Sequence, residues 1–135
     1  MTDSRRRLIR MLLAAMATQH VVTGLTMTLG PLWFYENVLG VAELGPYNEH
    51  LLVDLGAMNL GLGLLATWAA VTMSLDLVRA SCCCIAVVAL AHLMFHAAHL
   101  HGLSGLEAAV ELTALAAIAV LPTLVSILAR TRPSA

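Results

Sequence analysis

Three histidines, His92, His96 and His99, stand at i, i+4 and i+7 within one apolar stretch. On a helix that spacing gathers them into a single stripe. His50 and Asp54 stand i, i+4 in a second stretch, and Glu107 and Glu111 i, i+4 in a third. Imidazole titrates between about pH 5 and 8 and is the commonest metal ligand. Three kinds of chemistry follow. Histidine and carboxylate ligands at one level can hold a transition metal, and a two-His, one-carboxylate set suits iron. The metal candidates are His92, His96, His99, Asp54 and Glu111. Histidines on different helices can also ligate haem axially. A His–carboxylate chain, finally, can move protons or bind the polar head of a quinone or lipid.

The elements that must position these residues are four apolar stretches, at about 8–29, 50–73, 75–100 and 105–129. Each meets the ~20 residues that a bilayer-spanning helix needs. The 135 residues are 60% hydrophobic and 11% charged, whereas soluble domains are about 25% charged. The expected fold is all-α, a single four-helix membrane bundle over residues 1–135. The 7 basic residues are all arginine: Arg5, Arg6, Arg7, Arg10, Arg79, Arg130 and Arg132. One topology puts every one of them on the same side. By the positive-inside rule both termini and the middle connection are cytoplasmic, in the plasma membrane. Topology accounts for the arginines, so they call for no nucleic-acid partner.

Local signals set the helix ends. Gly30-Pro31 stops the first helix, and Trp33, Phe34 and Tyr35 form an interfacial aromatic anchor. Asn48 and Ser74 are N-caps for the second and third helices, and Gly102 a C-terminal glycine. Ser104-Gly105-Leu106-Glu107 matches the capping box, which favours Glu107 as a cap rather than a ligand. Pro122 is expected to kink the fourth helix. On the second helix Gly56, Asn59 and Gly63 share one face, and Ala57 and Gly61 another, for close helix approach. Ser4-Arg5-Arg6-Arg7 resembles a twin-arginine export signal. The apolar run that follows is longer than an h-region of about 7–15 residues, so it is read as a retained helix. Cys82, Cys83 and Cys84 are consecutive, point in different directions, and read as packing residues.

Depth brings the ionisable residues together. At ~1.5 Å per residue, Asp54, His96 and Glu111 each lie about four residues, ~6 Å, below the outer end of their helix. His50, His99 and Glu107 lie at the rim, His92 about a turn deeper, and His20 near mid-membrane. Charge at the bilayer centre costs about 2.5–3.5 kcal/mol per residue, so such groups face the bundle interior. The expected pocket has Asp54, His96 and Glu111 at its centre and His50, His92 and His99 around them, opening outward. The alternative is that the carboxylates pair with the histidines to bind helices together. His20 reads as a core histidine bonded to a neighbour. His101 falls on the opposite face from the histidine stripe.

Several segments resemble a family of small four-helix membrane proteins common in actinobacteria, a family without an assigned activity. They are Pro46-Tyr47-Asn48-Glu49-His50-Leu51, Asp54-Leu55-Gly56, Asn59-Leu60-Gly61, Phe34-Tyr35, the run His92 to Leu100, and Gly102-Leu103-Ser104. The resemblance covers nearly the whole chain, and more loosely extends to the DoxX-like superfamily. It implies the four-helix architecture and the polar cluster. The superfamily implies respiratory or quinone-linked roles, by analogy of fold alone. Relatives carry arginine where this chain has Val53 and aspartate where it has His101, so Asp54 lacks the partner that the family pattern implies.

The expected function is a membrane protein whose pocket binds a metal, a haem or the polar head of a quinone-like lipophile, with a redox link. The alternative is an accessory subunit of a larger membrane complex. Enzymatic activity is not favoured: no Ser–His–Asp pattern, H-E-x-x-H, C-x-x-C-H or nucleotide loop is present, and a lipid-modifying enzyme lacks a nucleophile arrangement.

Overall fold

The computed structural model describes residues 2–100 and 102–129. These form five α-helices: α1 Asp3–Leu29, α2 Pro31–Asn37, α3 Glu49–Thr72, α4 Leu75–Ala98 and α5 Gly105–Leu128. No strand occurs among the described residues. The helices α1, α3, α4 and α5 are each long and apolar enough to cross a membrane. This is consistent with a multi-pass membrane protein. Its long helices form a ring of neighbours in which α1 packs on α3, α3 on α4, α4 on α5 and α5 back on α1.

Two helix starts follow from their caps. Asn48 Oδ1 accepts the Leu51 N–H at 3.1 Å and opens α3. The capping box is complete: Ser104 Oγ accepts the Glu107 N–H at 3.3 Å, and Glu107 Oε2 accepts the Ser104 N–H at 2.8 Å. Such a cap contributes about 1 kcal/mol. Ser74 occupies the N-cap of α4 but its side chain makes no capping bond. The preceding turn is closed instead by Met73, at φ 54°, whose N–H donates to Ala69 O. A left-handed methionine costs ~1–2 kcal/mol, and packing of its side chain against the core offsets this.

Other boundaries differ from expectation. The first helix starts at Asp3, five residues before the apolar run, because arginine is a good helix former. The third spanning helix ends at Ala98, before the expected Leu100. The aromatic anchor is itself helical, since Pro31 at N1 has a φ already set for a helix and Gly30 O accepts the Phe34 N–H. Pro122 is buried inside α5, which continues past it to Leu128. His101, Arg130 and Arg132 lie outside the described residues.

The interior divides into two halves. Ile9, Leu13 and Met16 of α1, Ala66 and Ala69 of α3, Val78, Cys82 and Ile85 of α4, and Val125 of α5 make one apolar cluster. All of it lies toward the end where α1 begins and α5 finishes. Arg5 Nε donates to Leu128 O at 2.5 Å and ties those two termini together. Toward the other end the buried set includes His20, His96 and Glu111.

The α1–α3 seam is the tightest contact. A Cβ on Gly24 would lie 2.8 Å from Gly56 O, one on Gly56 2.5 Å from Thr28 Oγ1, and one on Gly63 2.6 Å from Val21 Cγ2. Of the two small-residue faces of α3, the one carrying Gly56, Asn59 and Gly63 is thus the buried one. Around Gly61 there is nothing within 4 Å.

Candidate functional site

The buried polar centre is a pair of side chains from two helices. His96 Nδ1 of α4 lies 2.5 Å from Glu111 Oε1 of α5, with side-chain exposures of 7% and 8%. That distance is within hydrogen-bond reach, and the bond is charge-assisted when the pair is ionised. The His92 ring sits 4.4 Å from the His96 ring, centroid to centroid, tilted by 59°. The second carboxylate oxygen, Glu111 Oε2, is buried without a partner among the described residues.

A backbone segment covers this carboxylate. Gly40, at φ 83°, is buried, and a Cβ there would collide with Glu111 Oε1 and lie 2.9 Å from Glu111 Cδ. Only glycine lets the chain take this turn this close. The covering loop is anchored on both sides. Tyr35 Oη donates to Gly45 O at 2.9 Å, and the Tyr35 and Tyr47 rings meet edge-to-face at 5.4 Å. The Tyr47 phenol is pushed above its ordinary range, by desolvation first and the Glu49 carboxylate second. At the next turn, a Cβ on Gly102 would fall 3.4 Å from Glu43 Cγ, so the loop also rests on the α4–α5 connection.

The expected six-residue pocket is only partly assembled. His96 and Glu111 pair, and His92 adjoins them. His99 turns away: its ring stacks on Phe95 at 4.2 Å and its Nδ1 bonds Phe95 O at 2.8 Å. Asp54 and His50 stand apart from the pair. They face each other at 3.5 Å with side-chain exposures of 60% and 87%. The reason is the rotation of α3. Once Gly56 meets α1, Asp54, two residues earlier, is turned about 200° around the axis. The shared chamber from three helices is thus corrected to a two-helix pair under a loop. No group of three His, Cys, Asp or Glu residues that can hold a metal ion occurs among the described residues.

A second polar bond lies one helix pair away. His20 Nδ1 is 2.9 Å from Asn59 Oδ1, which joins α1 to α3, and His20 Nε2 is buried without a partner among the described residues. His20 is the bonded core histidine that the sequence suggests. Sequence reasoning does not single out its partner Asn59, or the covering Gly40, as site residues. Asn59 carries a signal, since it shares the small-residue face of α3; Gly40 carries none beyond being a loop glycine.

No protein-family model matches the chain, and neither the curated proteins nor the solved structures include a match.

Proposed function

We propose that this is a small multi-pass protein of a bacterial plasma membrane whose His96–Glu111 pair binds the polar head of a lipophilic, quinone-like ligand and exchanges a proton with it. The observation that carries this reading is the Glu111 carboxyl: one oxygen on His96, the other buried, unpartnered among the described residues and covered by the Gly40 turn. A hydroxyl on a lipophile is a donor of the kind Oε2 lacks. Proton exchange is natural to an imidazole–carboxylate pair, and ionisable groups inside spanning helices commonly mark such pathways. The residues present fit a metal less well, because two donors from the pair are joined by no third among the described residues. They offer haem no more than isolated histidines.

The test uses purified protein in lipid nanodiscs. Trp33, in α2 beside the covering loop, reports quinone binding by fluorescence quenching, with Trp68→Phe as background. Glu111→Gln and His96→Leu are each expected to weaken binding by about tenfold, the worth of ~1.4 kcal/mol of lost polar contact. Equal quenching in wild type and both variants would exclude the pair as the binding site. Metal analysis and absorption spectra of the same sample test the metal and haem alternatives directly.

A second reading, an accessory subunit, is favoured by one specific observation. Asp54 and His50 present a polar pair on the outside of α3, where a second membrane protein can cover it. This reading expects co-purification with a larger complex in mild detergent, lost in Asp54→Leu. A solitary monomer counts against it.

A further inference from the structure

At the end opposite the His96–Glu111 pair, α1 and α3 leave a groove of about 660 Å³ between them, with Ala14, Thr18 and Val22 on one wall and Thr67 and Val71 on the other. That volume lies within the range of small-molecule sites, roughly 300–1,000 Å³. The walls are mostly apolar, and the Thr67 hydroxyl is already satisfied, since Thr67 Oγ1 donates to Gly63 O at 2.8 Å. Arg10 closes the groove at the helix terminus. It also lines an adjoining hollow of about 340 Å³ together with Asp3, Arg6 and Arg7. One arginine side chain thus borders both spaces.

We propose that this groove and hollow together bind one anionic phospholipid. The phosphate head sits among Arg6, Arg7 and Arg10, and an acyl chain lies along the α1–α3 groove. Three observations support that occupant. The hollow carries three arginines against one aspartate, so its net charge is positive. The cations stand at the N-terminus of α1, where the helix dipole already favours an anion and disfavours them; a bound phosphate removes that conflict. Length also matches. From Arg10 to Val22 the groove runs about 18 Å along α1, close to the depth of one leaflet of a ~30 Å hydrocarbon core. Basic pockets between spanning helices are a recurrent form of anionic-lipid site. Arg10 is held in place for this role, because its Nε donates to Ala70 O at 3.2 Å and leaves its terminal nitrogens to the head group.

The experiment measures thermal stability and lipid retention by native mass spectrometry, on full-length protein in mild detergent. The probes are phosphatidylglycerol, phosphatidylcholine of identical chains, and inorganic phosphate. Phosphatidylglycerol alone is expected to raise the melting temperature and to be retained at one molecule per chain. Arg6→Gln with Arg7→Gln is expected to weaken retention about fivefold for each charge removed. Ala14→Phe fills the groove while leaving every charge in place, and is expected to lose the retained lipid as well. Equal retention of phosphatidylcholine would overturn the proposal. So would unchanged retention in Ala14→Phe, which would mark simple surface attraction, or the same stabilisation by inorganic phosphate, which would mark an anion site without a chain.

Discussion

Glu111 is the residue at which the cost and the use of buried polarity meet. A buried acceptor without a partner costs about 1–3 kcal/mol, and Glu111 Oε2 is one among the described residues. His96 lies against the other oxygen, so the two residues stand or fall together. Polar bonds between membrane helices average about 0.6 kcal/mol, with a maximum near 1.7. A cycle of His96→Leu, Glu111→Leu and the double variant, read by thermal or denaturant unfolding in micelles, is expected to give a coupling within that span. Each single change should destabilise more than the double, because each strands a buried polar group. If interhelical attachment were the pair's whole role, the double variant would recover both stability and ligand quenching. Recovery of stability with quenching still lost is the outcome expected of a binding site.

At the scale of elements, helix rotation decides which residues meet. The α3 sequence offers two small-residue faces, and the structure buries the one with Gly56 and Gly63 against α1, where Gly56 meets Gly24. Gly56→Leu is therefore expected to destabilise by about 1–3 kcal/mol through overpacking. Gly61→Leu, at a position where a Cβ would meet nothing within 4 Å, should leave the unfolding free energy within ~0.5 kcal/mol of wild type. Equal effects in the two variants would mean that α3 is turned otherwise. This same rotation separates what the sequence reveals from what it conceals. The four spans, the Asn48 cap and the Ser104–Glu107 box are legible because each depends on local chemistry. His96 and Glu111 are legible because their depth follows from helix rise alone. Asp54 has the same depth, yet it faces outward. In lipid an apolar residue is at home on any side of a helix, so α3 has no amphipathic stripe to reveal its rotation. Gly24, Thr28 and Val21, on another helix and inconspicuous by themselves, select the face.

Over the whole molecule the apolar cluster and the described arginines occupy one end, the buried polar pair and its covering loop the other. Arg5 and Arg10 are fastened to Leu128 O and Ala70 O at the apolar end, and Arg79 lies in the first turns of α4 at the same end. Among the described residues the polar end carries Glu36, Glu43, Glu49 and Glu107 and no arginine. Such a division is useful in a bilayer only if its orientation is fixed, since a ligand that exchanges protons with His96 and Glu111 must do so with one compartment. In the proposed orientation the arginines supply that constraint by holding their end in the cytoplasm. A fluorescent protein fused after the C-terminus is then expected to mature and fluoresce, and alkaline phosphatase at the same position to be inactive. Phosphatase inserted in the loop between Gly40 and Gly45 should be active. The reverse pattern would invert the molecule: it would place the arginine-lined groove in the outer leaflet and open the polar pair to the cytoplasm. In the expected orientation the covered carboxyl faces the extracytoplasmic side, and the proposed proton exchange would be with that compartment.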